Sequence, residues 1–156
     1  MVESSVAAAH THGHLASFRQ ILGTDARRQV MHERMLARMI KELRGNVLAP
    51  PMFCERFHAV FLDKDRAILG QTAMGYGNTS GLSLRPRELF SRALAVEAEA
   101  MIIAHNHPSG DCRPSLSDVK ATTQIADIAN SLEIELVDHL IFTHRATYSM
   151  RGGGEL

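Results

Sequence analysis

The sequence predicts an α/β (α+β) domain in which a small mixed β-sheet is flanked by helices. Helical patterns and short strand-like runs alternate along the chain, and one pair of runs around a turn reads as a hairpin. Apolar residues make up 45% of the 156, enough for a single core.

From the N-terminus, residues 1–16 are small and polar and are expected to form a flexible tail. Its alternating His10, His12 and His14 lack a strand and a carboxylate to organise them, so they are at most an adventitious metal binder. Residues 17–46 form a helical segment, with Val30, Leu36, Met39, Ile40 and Leu43 at helical spacings. Gly45 is expected to end it, and Pro50-Pro51 starts a new segment. Its Arg27, Arg28, Arg34, Arg38, Lys41 and Arg44 read as the solvated face of an amphipathic helix. A weak contact to nucleic acid or a partner is the alternative.

Phe57 to Leu62 and Ala67 to Ala73 form the hairpin around Asp63-Lys64-Asp65-Arg66. The glycine- and serine-containing loop 75–83 lacks phosphate-loop spacing. Pro86 opens a helix continued by Leu89, Phe90, Ala93 and Leu94. Met101 to Ala104 is a short buried strand that delivers the chain into His105. Ser115 caps a helix with Val119, Ile125, Ile128, Ala129 and Leu132 on its apolar face. A strand from Ile134 to Phe142 and a short one at Tyr148 to Met150 complete the pattern.

Composition narrows the partners. Seventeen basic residues balance seventeen acidic ones, so overall charge argues for no nucleic-acid or acidic partner. Aromatics are 5% and tryptophan is absent, against a base-stacking surface. No apolar run is long enough for a membrane span. The opening residues lack the pattern of a secretion signal. Cys54 and Cys112 have no paired spacing, and a cytoplasmic setting is expected.

Chemistry concentrates in residues 105–118, His-x-His-x10-Asp. Strand alternation aims His105 and His107 the same way, just past the strand end. Pro108, Gly110 and Pro114 turn the chain back, and Ser115 starts a helix with Asp118 in its first turn. Two histidines and one carboxylate match a catalytic zinc set whose fourth position is left to water. Ser115-x-x-Asp118 also reads as a capping box with aspartate in the usual glutamate position.

His105-x-His107-x7-Ser115-x2-Asp118 resembles the JAMM motif of JAB/MPN metalloproteases. The longer string HNHPSGD followed by PS and Asp118 is similar to the RadC-like branch, often labelled as DNA repair proteins. Pro86 to Phe90, Asp138-His139 and Tyr148-Ser149 agree with it. The resemblance implies a JAB/MPN-like (cytidine-deaminase-like) architecture, with a catalytic domain at residues 47–156. It further implies one Zn2+ per chain held by His105, His107 and Asp118, with Ser115 supporting the bound water or the oxyanion. A general base outside the motif is implied at Glu55, just before the first strand, with Glu88 as second choice.

The chain departs from that family in two places. Residues ahead of the motif domain lack the paired glycine-containing hairpins of a helix-hairpin-helix segment, which weakens the expectation of autonomous DNA binding. Cys112-Arg113 replaces proline and threonine. It is either a tolerated loop change or a thiol within reach of the metal. His139 and Asp138 are either groups behind the ligands or a structural pair. His32, His58 and His144 read as surface or edge residues.

The expected activity is zinc-dependent hydrolysis of a peptide or isopeptide bond in a peptide or protein substrate. A DNA-associated accessory factor for repair or mobile elements is the alternative. A closed structural zinc site would require Cys112 as fourth ligand.

Overall fold

A computed structural model describes residues 26–50, 54–76 and 85–156. The tail at 1–16, the start of the expected first helix and most of the loop 75–83 lie outside the described residues.

Within them, helix α1 spans Ala26–Val47, followed by β1 (Arg56–Leu62) and β2 (Ile68–Tyr76). Then come α2 (Pro86–Ala95), β3 (Ala100–Asn106), α3 (Leu116–Ser131), β4 (Glu135–Phe142), β5 (Thr147–Ser149) and α4 (Met150–Gly153). The strands form one five-stranded sheet ordered β2-β1-β3-β4-β5. The β1–β2, β1–β3 and β4–β5 pairs are antiparallel, whereas β3 and β4, joined through α3, are parallel. This is the mixed sheet between helices that the sequence predicts.

Alternation along β1 separates two cores. Phe57, Ala59 and Phe61 pack with Leu89, Phe90 and Ala93 of α2 and with Ile125 and Ala129 of α3. Val60 and Leu62 face the opposite layer, where Met39, Leu43 and Val47 of α1 cover Ala104, Leu140 and Phe142. Central β3 is buried along its whole length, which explains its unbroken apolar run. Each large side chain buried there contributes about 1.5–3 kcal/mol.

Gly45 does not end α1. The helix continues to Val47, whose side chain is fully buried, and Leu48 N–H still donates to Arg44 O. One glycine costs a helix about 1 kcal/mol, and burying Val47 offsets that. Strand β3 runs two residues beyond Ala104, so His105 lies inside the sheet and His107 just past its end. Met150 opens α4 rather than closing a strand, because the Ser149 hydroxyl accepts from Gly152 N–H as an N-cap. His58 is no edge residue: β1 lies between β2 and β3, and its ring is half-buried. Burial and nearby Arg56 push its pKa down.

Helices α2 and α3 end alike. Glu97 (φ 52°) and Glu133 (φ 57°) adopt the left-handed conformation. Ala98 N–H then bonds Ala93 O, and Ile134 N–H bonds Ala129 O. These closures satisfy late helical carbonyls and turn the chain directly into β3 and β4. Among the described residues no helix is long and apolar enough to cross a membrane.

Candidate metal centre

Three elements meet where β3 ends. Buried His105 is the penultimate residue of β3, His107 follows the strand, and Asp118 lies in the first turn of α3. The two Nε2 atoms are 2.9 Å apart. His105 Nε2 is 3.3 Å from Asp118 Oδ1, and His107 Nε2 is 3.3 Å from Asp118 Oδ2. The three side chains form a group that can hold a metal ion.

The loop between them is locally determined. His107 N–H donates to Phe142 O on β4, so the chain stays with the sheet for one residue more. Gly110 N–H then closes a turn on His107 O, with Gly110 at φ 87°, a conformation that favours glycine. Ser115 caps α3: its hydroxyl accepts from Asp118 N–H, and its own N–H donates to Asp118 Oδ2 at 2.7 Å. The Ser115 hydroxyl also lies 2.6 Å from that oxygen, donating to it. Capping and carboxylate orientation are thus one arrangement.

Hydrogen bonding identifies the tautomers. A backbone carbonyl only accepts, so His107 Nδ1, 2.7 Å from Asp111 O, carries the proton. Its Nε2 lone pair is left toward Asp118. His105 Nδ1 is 2.8 Å from His139 Nε2. His139 Nδ1 is 2.6 Å from Thr122 Oγ1, whose hydroxyl donates to Asp118 O at 2.6 Å. With that terminus fixed, protons run one way: His105 to His139, His139 to Thr122, Thr122 to Asp118. Nε2 of His105 is therefore also a free lone pair.

Burial and the neighbouring His105 push His139 well below the usual histidine range, so it is neutral. Burial opposes charge on His107, but Asp118, the Asp111 carbonyl and Glu55 together raise its pKa. Burial also opposes ionisation of Asp118. The close approach of His105 and His107 and the hydrogen bond from Ser115 outweigh it and hold the carboxyl far below its ordinary range.

A cleft of about 520 Å³ opens beside these groups, lined among others by Glu55, His107, Ser109, Asp111, Arg113 and Ser115. Glu55 therefore stands on the metal side of the domain. Glu88 lies on α2 in an ion pair with Arg92. Cys112 is outside the group of converging ligand atoms, and burial raises its thiol pKa. Arg113 forms a bidentate pair with Asp111, holding that carboxyl at about 2.

The side chains of Asp138 and His139 do not pair. Asp138 accepts from the Ser149 hydroxyl, from Arg151 N–H and from the backbone N–H of His139, while the His139 ring turns to His105 and Thr122. Sequence reasoning gives Thr122 no role. Its signal is its position one helical turn after Asp118, a polar residue in line with buried Ile125 and Ala129. The basic face of α1 is partly engaged internally. Arg38 pairs with Glu42, and Arg44 bonds His144 O and Ala146 O while lying over the Phe142 ring.

The profile of the RadC-like JAB domain matches residues 26–155. A UPF0758 protein of Rhodobacter capsulatus is 37% identical over 102 residues, covering 65% of this chain and 48% of that protein. The chain thus spans about half the length of the curated relative it matches.

Proposed function

This chain belongs to the RadC-like JAB domain family, and on that premise we propose that it is a zinc-dependent hydrolase of peptide or isopeptide bonds. The convergence of the His105 and His107 Nε2 atoms and one carboxylate beside a cleft that also holds Glu55 carries the reading.

The donor set fits zinc. Bonds of about 2.0–2.1 Å arranged tetrahedrally put neighbouring ligand atoms roughly 3.3 Å apart. Here the two Nε2 atoms are 2.9 Å apart, and each lies 3.3 Å from a different oxygen of Asp118. Three protein ligands leave a position for water, as in catalytic rather than structural sites. Zinc bound there supplies Lewis acidity and lowers the pKa of its water to about 7.

The chain's own groups do the rest. His105 and His107 keep their protons on Nδ1 and present lone pairs inward. Glu55 accepts a proton from the attacking water and returns it to the leaving nitrogen. Ser115 lines the cleft, and its single hydroxyl proton, turned from Asp118 Oδ2 to the substrate, steadies the oxyanion forming on the carbonyl. A neutral His139 holds the His105 ring at the angle that points Nε2 at Asp118.

Zinc analysis of the purified chain, paired with cleavage of a fluorogenic peptide and isopeptide panel, tests the reading. About one zinc per chain and cleavage abolished by Glu55→Gln are expected. A chain that takes up no zinc under metal-replete conditions overturns it.

A further inference from the structure

The residue between the two histidines bears on the cleft from behind. Asn106 is fully buried. Its Oδ1 accepts from Arg56 N–H at 2.7 Å, and its Nδ2 donates to Cys54 O at 3.3 Å. Those partners flank Glu55 on both sides. In extended chain, the carbonyl before a residue and the N–H after it point the same way, so a single carboxamide can bond both. An amide N–H and an amide C=O cannot exchange roles, so the two partners also fix which way the side chain is turned.

Sheet register explains why a side chain is needed. The β1–β3 ladder ends at the Phe57–His105 pair. Beyond it His107 N–H goes to Phe142 O on β4, leaving β1 without a backbone partner from that residue. The Asn106 amide takes up two groups of β1 and its approach that the ladder leaves. It therefore ties the segment carrying Glu55 to the stretch of chain that carries both histidines.

We propose that Asn106 is a positioning residue whose carboxamide sets where Glu55 stands relative to His105 and His107. Its importance for turnover rests on the reading of Glu55 as general base. The positional claim is measurable without turnover. Only a carboxamide offers a donor and an acceptor at this reach. Asn106→Leu keeps the shape and removes both bonds, whereas Asn106→Asp keeps the acceptor for Arg56 and loses the donor to Cys54.

The test loads the full chain with Co2+ and follows backbone amides by NMR. In Asn106→Leu the Arg56 amide should exchange about tenfold faster, the effect of losing one net hydrogen bond. The Co2+-induced shift of the Glu55 amide should change, while those of Asp118 and Thr122 stay in place and Co2+ affinity holds within about twofold. Should the leucine variant not fold, Asn106→Asp serves, with the Glu55 shift displaced in the same sense. An unchanged Glu55 shift in a folded variant overturns the proposal. Failure of the base reading looks different: Glu55→Gln would still hydrolyse peptide, whatever the Asn106 variants do to the Glu55 amide. If both readings hold, Asn106→Leu lowers kcat with KM unchanged, as Glu55→Gln does.

Discussion

Nδ1 of His105 lies 2.8 Å from Nε2 of His139, and both rings are buried. Groups behind a ligating histidine fix its tautomer, and losing one typically lowers metal affinity about 10- to 100-fold. Thr122→Val removes the acceptor of His139 Nδ1–H and should lower zinc affinity toward that range, measured by competition with a chromogenic chelator. Thr122→Ser keeps the hydroxyl and should bind nearly as well as the parent. Equal affinities for the valine and serine variants would show that the chain behind His105 does not tune the site.

Catalysis and metal binding should separate at Glu55. Glu55→Gln is expected to retain zinc and lose amide hydrolysis by about 100-fold or more, the usual scale of a general base. His107→Ala should lose both. Glu88→Gln should change neither, since Glu88 pairs with Arg92 on α2. Zinc content and initial rates on one cleaved peptide give the comparison.

Protons and metal compete for His107. Its folded-state pKa is raised above the ordinary histidine value of 6.5 in the metal-free chain. Stability from its pairing with Asp118 is therefore fully present below about 6.5 and is lost as pH rises through the higher folded value. Metal-free protein should show a falling Tm across that window. Zinc affinity should rise over the same window, because the ligand must be neutral to bind. Calorimetry with and without zinc from about pH 6 to 9 reads both; a metal-free Tm that climbs through this window contradicts the sign.

Left-handed Glu133 gives a stability test remote from the chemistry. Its φ of 57° strains a residue with a Cβ. Glu133→Gly should stabilise the chain by about 1 kcal/mol, offset in part by glycine's greater freedom when unfolded. Urea denaturation gives the value, and a loss of stability would mean the glutamate side chain matters more than its backbone.

Much of this arrangement is legible along the chain. The continuous apolar run of β3, proline at the start of α2 and serine at the start of α3 are local signals, and local physics decides those elements. Alternation brings His105 and His107 together, and the cap brings Asp118 near them. The hidden part depends on register. His139 is distant from His105 in sequence and reaches it because parallel pairing sets Ile103 opposite His139 and His105 opposite Ile141. No pattern within either strand encodes that offset. The end of α1 escapes local reading for a related reason: Gly45 signals a stop, but Val47 is buried by tertiary packing. Asn106 gives no signal of its own between two histidines, because its partners lie fifty residues earlier in the chain.

The hydrogen-bond chain from the His105 ring through His139 and Thr122 ends on the backbone of Asp118, so it starts and finishes on two of the three converging residues. It closes into a loop across β3, β4 and α3. The side-chain entropy of these groups is surrendered when the domain folds, before any ion arrives. Chelation and unfolding then become separate events, unlike in small domains that fold around their metal. A donor set held this stiffly would also discriminate by shape. It would suit ions content with tetrahedral coordination better than copper(II), which binds nitrogen and oxygen sites more tightly but favours tetragonal geometry.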